Sequence, residues 1–562
     1  MGLRRSGCVM GRNNFAMGGR SHGRTCGLNA AGGDVGGSSR APARQTRRAS
    51  WRKAALAAVR SLAAVALCQF TPASQAGMLY WDGSDTTPNA DGGAGTWDLG
   101  TTANWDTAAI GGTDSVWTNI NLDTAVFGGT ASTAASPVAL GAGITVGGLS
   151  FNTTGYVVST GANTLTFGAA DNTVLLNNVA AATITGSVGG TSKNVTLSTS
   201  NPNTAGTLTL NGTSANGWSG TTTVNAGATL ALAGSNQALL GTSGIALNGG
   251  GITLTNTSAA EALLDRVNGT AGIAVNGGTI TVTNTSGTTT YAETLGRVTL
   301  ASGQLNLVLT NNQAGTGSQT LTLSNGGSGT GLNRTGGTST ATFSSGTGLS
   351  ATKNVIVVEG AAATAANQII GPWATVGTTA AAQTDYAVFD AASRVLAANI
   401  AGSAESAWTD AATAYTNSSA AVALSGNRVA SGLRNTGATA TITLSDGASG
   451  FTLATNGILN GVGTLMTVAP GAVPGSVTTP GTSGGTLFVN AGSGAITISA
   501  PINNNGGAVT LVKNGASLVL LNATTSTYSG GTVINAGQLR VASDAALGSA
   551  GAGITLNGGV LL

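Results

Sequence analysis

The segment Tyr528-Ser-Gly-Gly-Thr-Val-Ile-Asn535-Ala-Gly537 and its earlier echo Trp218-Ser-Gly-Thr-Thr-Thr-Val-Asn225-Ala-Gly227 decide the fold. Each is followed by a Leu-rich segment, a Leu-Gly pair and a closing segment that ends in Asn-Gly-Gly, at 248–250 and 557–559. The shared order is strand, turn, strand, turn, strand, turn. Self-similarity on this scale is typical of repeat architectures, in which each unit buries its apolar face against the next.

The segments between these turns alternate apolar and polar residues. Thr207-Leu-Thr-Leu210, Ile280-Thr-Val-Thr283 and Ile496-Thr-Ile498 place an apolar residue at every second position. A period of two predicts strands with one face toward the core and one toward solvent. Thr suits the outer face of a pleated surface, and Asn and Gly supply the positive φ angles that tight corners need.

These patterns predict an all-β fold, a right-handed parallel β-helix or solenoid of short Gly/Asn/Thr-rich rungs behind a cleaved signal leader. Rungs about 4.8 Å apart would form one continuous rod of about twenty rungs. Asn side chains at equivalent corners are expected to form amide ladders. An antiparallel β-sandwich series is the alternative, which the lack of regular hairpin pairs disfavours. The predicted structural turn residues are Asn225, Gly227, Asn248, Gly249, Asn535, Gly537, Asn557 and Gly558.

The composition excludes several fibrous classes. Among 562 residues there are 89 Gly and 10 Pro, and charged residues make up 7%, against about 25% in an ordinary domain. Gly without a period of three excludes collagen. The scarcity of Glu and Lys excludes a coiled coil, which needs abundant Glu, Lys and Leu, and the low net charge disfavours a disordered chain.

The charge separates a leader from a body. Residues 1–76 hold 12 of the 22 Lys and Arg residues and a single acid, whereas residues 77–562 hold 10 bases and 18 acids. Basic residues precede the apolar run 54–70, and the small residues Ser74 and Ala76 follow it. This order predicts a secretory signal cleaved after Ala76. The body is acidic with scattered bases, which argues against a nucleic-acid partner.

The reactive side chains lie in the leader. Cys8, Cys26, Cys68 and the only histidine, His22, all precede residue 77. The mature chain would therefore lack disulfides, thiolate nucleophiles, Ser–His–Asp triads and Cys/His zinc sites. We expect no catalytic, cofactor-binding or metal-binding residues, no cofactor and no enzyme activity.

A polysaccharide-acting enzyme on a β-helix scaffold is the alternative function. Such hydrolases need two carboxylates roughly 5–10 Å apart. Solvated turns or helix surfaces also explain each candidate pair, which are Glu261/Asp265, Asp385/Asp390 and Glu405/Asp410.

Four tryptophans cluster near the start of the body. Trp81, Trp97, Trp105 and Trp117 lie within 37 residues of one another. One interpretation is an aromatic platform for carbohydrate. We favour a cap, because the first rung of a solenoid exposes an open edge that must be covered.

Helix is expected to be scarce, with two turns each at 258–265 and 403–415 and one turn at 543–547, capped by Ser543. The predicted organisation has five parts. The parts are a leader with signal peptide at 1–76, an N-terminal cap and first rungs at 77–200, solenoid repeats at 201–360, an irregular Ala-rich insertion at 361–440 and further solenoid repeats at 441–562.

The repeat from Lys513-Asn-Gly515 through Asn535-Ala-Gly537 to Asn557-Gly-Gly559 resembles the autotransporter-associated β-strand repeat family. The 207–250 unit is a looser match, and Trp81-Asp-Gly83 is similar to the start of such proteins. The resemblance implies a secreted or surface-displayed β-helical passenger of a Gram-negative-type envelope, and no catalytic residues. Family members end in a membrane β-barrel, whereas only Phe488 and Tyr528 are aromatic after residue 460, so we expect membrane attachment only through an anchor outside this chain.

The expected function is that of an exported, non-enzymatic passenger acting in adhesion, self-association or envelope structure. The expected location is extracellular or at the outer-membrane surface. The expected partners are surface glycans or sister chains, with no nucleic acid.

Overall fold

The computed structural model of the chain describes residues 76–83, 87–178, 181–212, 214–215, 217–258, 261, 265–285, 289–311 and 317–562. The chain divides into two units, Met1–Ala73 and Ser74–Leu562, and every described residue belongs to the second. The leader predicted for 1–76 lies outside the described residues, apart from Ala76.

The described chain consists of short strands, from 2 to 14 residues long, separated by turns. The strands up to residue 232 are β1 Met78–Trp81, β2 Gly95–Trp97, β3 Trp105–Asp106, β4 Asp114–Ser115, β5 Thr124–Phe127, β6 Val138–Leu140, β7 Ile144–Val146, β8 Gly148–Phe151, β9 Tyr156–Phe167, β10 Asp171–Leu176, β11 Ala181–Gly189, β12 Asn194–Thr199, β13 Gly206–Asn211, β14 Ser214–Ala215, β15 Thr221–Asn225 and β16 Ala228–Leu232. Those up to residue 397 are β17 Asn236–Gln237, β18 Gly244–Asn248, β19 Gly251–Asn256, β20 Gly272–Asn284, β21 Thr290–Leu295, β22 Val298–Asn311, β23 Ser318–Leu323, β24 Leu332–Arg334, β25 Thr340–Ser345, β26 Asn354–Val358, β27 Ala374–Gly377, β28 Gln383–Phe389 and β29 Val395–Ala397.

The remaining strands begin after the 3₁₀ turn Glu405–Ala407, and another such turn, Asp544–Leu547, lies near residue 562. They are β30 Thr409–Asn417, β31 Ala421–Ala423, β32 Arg428–Asn435, β33 Thr441–Thr443, β34 Thr452–Thr455, β35 Gly457–Asn460, β36 Met466–Ala469, β37 Ser476–Thr478, β38 Gly485–Ala491, β39 Ile496–Ile498, β40 Val509–Asn514, β41 Leu518–Leu521, β42 Thr532–Ile534, β43 Gln538–Val541, β44 Ile554–Leu556 and β45 Val560–Leu561.

Parallel pairing between successive rungs builds the fold. Leu208 on β13 lies opposite Leu230 on β16. Leu230 lies opposite Ile252 on β19, and Ile252 opposite Ile280 on β20. All four side chains are buried. The Thr residues next to them along each strand point outward and are half-buried. The all-β parallel solenoid predicted from the period-two alternation is therefore confirmed, and its right hand stays a prediction.

The strands form two stacks with separate cores. The first stack, β1–β29, encloses a cluster of apolar side chains from Leu79 to Val395. The second stack, β30–β45, encloses a cluster from Trp408 to Ala546.

The two stacks lie side by side in opposite rung order. The Asn490 side-chain amide donates to the Pro372 carbonyl at 2.8 Å, and that of Asn535 donates to the Thr338 carbonyl at 2.7 Å. Later residues of the second stack thus contact earlier residues of the first. The single continuous rod expected from the sequence is wrong.

The end of the first stack explains this break. Strands β27, β28 and β29 pair antiparallel, with Thr375 opposite Tyr386 and Ala387 opposite Ala397. Antiparallel strands reverse the chain instead of carrying it one rung onward. Regular parallel pairing resumes only where β30 pairs with β32. The 361–440 segment, predicted as an irregular insertion, holds this reversal and strands β27 to β32.

The helical expectations have different outcomes, and most of the segment at 258–265 lies outside the described residues. Helix at 403–415 is wrong, because after the turn Glu405–Ala407 the chain enters strand β30, Thr409–Asn417. Pairing with β32 outweighs the helical preference of Ala in this segment. At 543–547 a 3₁₀ turn does form at Asp544–Leu547, but Ser543 makes no side-chain capping hydrogen bond there.

We predict that Leu230→Ala lowers the free energy of unfolding by about 3 kcal/mol, because it leaves a cavity in a close-packed column. The outward-facing neighbour Thr229→Ala should change it by less than about 1 kcal/mol. Urea denaturation followed by circular dichroism measures both values. Equal effects of the two substitutions would contradict the assigned inward and outward faces.

Candidate functional site

The four N-terminal tryptophans form one buried cluster. Trp81, Trp97, Trp105 and Trp117 each have 0% of their surface exposed. The ring centroids of Trp97 and Trp105 are 4.8 Å apart, and those of Trp105 and Trp117 are 4.9 Å apart. Buried indole faces cannot stack on a sugar ring, so this cluster offers no carbohydrate platform. Its packing at the beginning of the first stack suits a cap, which stays a prediction.

The predicted turn residues of the first repeat lie in an asparagine ladder. The Asn225 side chain donates to the Ser198 hydroxyl at 2.9 Å, and Asn248 donates to Asn225 at 3.3 Å. Asn276 in turn donates to Asn248 at 3.0 Å. The amide ladder expected from aligned corners is therefore present. Gly249 has φ of 83°, a conformation that L side chains rarely adopt.

The turn residues of the second repeat lie in a matching ladder on the second stack. Asn557 donates to Asn535 at 3.0 Å. Two further asparagines of this corner, Asn514 and Asn490, are also bonded at 3.0 Å. Gly537 has φ of 65°, and a Cβ added there would lie 2.4 Å from the Gly515 carbonyl oxygen. Only glycine fits at this crowded corner.

This second ladder faces the first stack. Asn535 and Asn514 are 3% and 1% exposed. Besides the bond to the Thr338 carbonyl, the Asn535 amide donates to the Thr340 hydroxyl at 3.3 Å, and that hydroxyl donates to the Asn514 side-chain oxygen at 3.0 Å. We call this contact between the stacks the corner seam. The sequence pattern predicts only turns for these residues.

A cation–π sandwich and an ion pair join the stacks beside the corner seam. The Arg334 guanidinium of the first stack lies 5.3 Å from the ring centroids of both Trp373 and Phe488. Burial lowers the pKa of Arg334 to about 10. Asp385 forms an ion pair with Arg434 of the second stack at 2.8 Å. Burial raises the pKa of Asp385, and Arg434 and backbone amides oppose that rise.

Besides Asp385, four of the carboxylates considered for catalysis are engaged by partners of their own. Glu261 accepts hydrogen bonds from Thr257 and lies 3.5 Å from Arg266. Asp390 pairs with Arg394 at 2.7 Å, Glu405 pairs with Arg428, and the exposed Asp410 accepts from Thr413 at 2.7 Å. These contacts are those of turn and ion-pair residues.

A buried ionisable cluster, which the sequence pattern did not predict, lies in the first stack. Glu293, 1% exposed, accepts hydrogen bonds from the Tyr291 hydroxyl at 2.6 Å and from the backbone amides of Arg266 and Val267 at 3.0 and 3.1 Å. The fully buried Arg266 guanidinium donates to the carbonyls of Leu232 and Thr255. Burial raises the pKa of Glu293 to about 7. The signal in the sequence was a charged residue inside a strand, Thr290–Leu295.

The second stack holds a buried lysine. Lys513 is 0% exposed and occupies the column of core residues between Val489 and Ile534. Its ammonium donates to the carbonyls of Asn514 and Gly515. Burial lowers the pKa of Lys513 to about 7. This lysine supports the corner backbone from inside.

In the part of the chain that the structure describes, no group of three or more His, Cys, Asp or Glu side chains is placed to hold a metal ion. Among the same residues, no helix has the length and apolar character needed to cross a membrane.

Comparison with known proteins gives one informative similarity. No protein-family model and no solved structure matches the chain. The chain is 35% identical over 196 residues to the Adhesin BmaC autotransporter of Brucella suis biovar 1 (strain 1330). The match covers 32% of this chain and 5% of that protein, so the chain spans a small fraction of its relative's length. The similarity supports an autotransporter passenger-like relationship, and the specific repeat family stays a prediction.

We predict that Arg334→Gln lowers the free energy of unfolding by about 2 kcal/mol, because it removes a desolvated cation from between two rings. The matched control is Arg540→Gln, at an exposed position on β43, which should cost less than about 0.5 kcal/mol. Urea denaturation measures both. A loss at position 334 no larger than that at position 540 would contradict the sandwich.

We predict that Glu293 makes folding less favourable as pH rises from about 4.5 to about 7. In this window the folded state holds the proton and the unfolded state has released it, so the free energy of unfolding falls with pH. Glu293→Gln removes this contribution, and the stability of the variant relative to the wild type should increase across the window. Denaturant titrations at several pH values measure the difference. A difference that does not vary with pH would show that Glu293 keeps an ordinary pKa.

Proposed function

We propose that the chain is an exported, non-enzymatic passenger that acts in adhesion at the cell surface. The observation that carries this proposal is the 35% identity over 196 residues to an autotransporter adhesin, together with the parallel solenoid fold. That protein is named as an adhesin, and the function of this chain is inferred by analogy with it. An extracellular or outer-membrane surface location follows from the same relationship.

The chemistry of the chain is consistent with binding. Residues 77–562 contain no His or Cys, which leaves Asp, Glu, Ser, Thr, Lys and Tyr as possible reactive groups. Glu261, Asp390 and Glu405, one carboxylate of each candidate pair, are held by turns and arginines. No observation favours the alternative of a polysaccharide-acting enzyme.

The solenoid supplies repeated surfaces of uncharged hydroxyl and amide groups. Thr209, Thr253 and Thr281 lie in one outward column of the first stack, with Ala231 on the rung between Thr209 and Thr253. Repetition along a stack allows many weak contacts to act together on a surface-bound partner. We propose surface glycans as the partner class for this adhesion.

The test is a binding assay with the purified protein on fluorescent beads. We expect saturable attachment to at least one member of a panel of surface glycans and host-cell layers, and competition by the soluble protein. The same glycans are assayed for release of reducing ends, which we expect to be absent. Attachment to none of the surfaces would refute the adhesive role, and protein-dependent glycan cleavage would refute the non-enzymatic one.

A further inference from the structure

The two sequence repeats have turns of the same composition in different surroundings. Asn535-Ala-Gly537 and Asn225-Ala-Gly227 occupy equivalent positions in their repeats. Asn535 is 3% exposed because its corner is docked on the first stack. Its counterpart Asn225 is only half-buried, and Asn248 on the next rung is exposed. In the described part of the chain, the Asn225 corner, which is equivalent in sequence to the Asn535 corner, therefore has no second stack packed against it.

The hydrogen bonds of the two corners show which side-chain groups join the stacks. In the docked corner, the Asn535 side-chain oxygen accepts the ladder bond from Asn557, while its amide donates across the corner seam to Thr338 and Thr340. Asn248 has the ladder bonds alone, one donated to Asn225 and one accepted from Asn276. An amide carries two N–H donors. One N–H of Asn248 therefore has no partner among the described residues.

The surface that receives the docked corner is itself a Gly- and amide-rich corner. Gln304 accepts a hydrogen bond from the Gly515 amide at 3.4 Å. A Cβ added to Gly277 would lie 3.5 Å from the Asn557 carbonyl oxygen. Gly277 follows Asn276, the ladder residue next to Asn248. The corner seam is thus corner against corner, with the two stacks in opposite rung order.

The receiving corner continues past the last contact of the second stack. Beyond Gly277 the same ladder passes to Asn248, Asn225 and Ser198. A solenoid repeats its surface from rung to rung. These rungs therefore expose the same kind of Gly and amide groups that the second stack covers at Gly277 and Gln304. We call the residues Asn225, Gly227, Asn248 and Gly249 the free corner.

We propose that the free corner binds the free corner of a second copy of this chain. Two identical strips in opposite rung order are related by a two-fold axis, which gives a closed, isologous dimer. The contact reproduces the antiparallel corner-on-corner packing of the corner seam and gives the spare Asn248 N–H a partner. The inference builds on the proposed surface passenger by naming a sister chain as a partner. The contact area is small, so we expect weak pairing that many surface-bound copies reinforce.

Sedimentation velocity of the purified protein over a range of concentrations tests the proposal. We expect a concentration-dependent monomer–dimer equilibrium. Asn248→Lys places like charges across the two-fold axis and should raise the dimer Kd at least tenfold. Thr173→Lys adds the same charge at an exposed outward position on β10 and should leave the Kd unchanged.

A charge-complementation experiment separates the interface from a structural effect of losing the ladder. Asn248→Glu alone should also dimerise poorly, whereas an equimolar mixture of Asn248→Lys and Asn248→Glu proteins should recover dimers. Circular dichroism melting checks that each variant is folded. A wild-type protein that stays monomeric, an Asn248→Lys protein that dimerises like wild type, or a mixture that does not recover would each overturn the proposal.

The outcome is distinct from that of the adhesion assay. Dimers without attachment to any glycan or cell would remove the adhesive role and leave the interface in place. Attachment to glycans by a strictly monomeric protein, lost in Asn248→Lys, would assign the free corner to a glycan and overturn the pairing of copies.

Discussion

In-register hydrogen bonding between rungs that run in the same direction is the constraint on which the structure depends. Partner strands lie about 4.8 Å apart, so each residue sits directly above its counterpart in the rung below. Leu208, Leu230 and Ile252 form an apolar column for this reason, and Thr209, Ala231 and Thr253 form an outward column beside it. A column therefore favours side chains that pack well against a similar side chain on the next rung.

The same constraint explains the asparagine corners. An amide both donates and accepts, so a stack of asparagines can bond from rung to rung, as Asn225, Asn248 and Asn276 do. Glycine is needed beside them because neighbouring corners bring backbone atoms close to any Cβ, as at Gly537. Each amide keeps a second N–H after the ladder is made. In the second stack, this second N–H of Asn535 bonds to the first stack, so a turn residue also stabilises the packing of the two stacks.

Charged side chains enter this architecture only with special support. Glu293 is held by backbone amides and Tyr291, and Lys513 by two carbonyls at a corner. Burial raises the pKa of Glu293 and lowers that of Lys513, because each charge leaves water. Both side chains bond to backbone groups inside the stacks. The outward columns, in contrast, are rich in hydroxyl and amide groups. The chemistry thus suits recognition by surface contact more than covalent chemistry.

The sequence by itself determined the strands, their faces and their corners, because these depend on residues two to ten positions apart. Alternation such as Thr207–Leu210 and turns such as Asn535-Ala-Gly537 carry that information locally. Only the tertiary structure decided that 409–417 is a strand, that Arg334 lies between Trp373 and Phe488, and that the stacks lie side by side. The bond from Asn535 to Thr338 spans 197 residues. Asn225 and Asn535 both follow a β-branched apolar residue and precede Ala-Gly. Local pattern cannot distinguish two such corners; the antiparallel reversal at β27–β29 places one of them against the first stack and leaves the other uncovered.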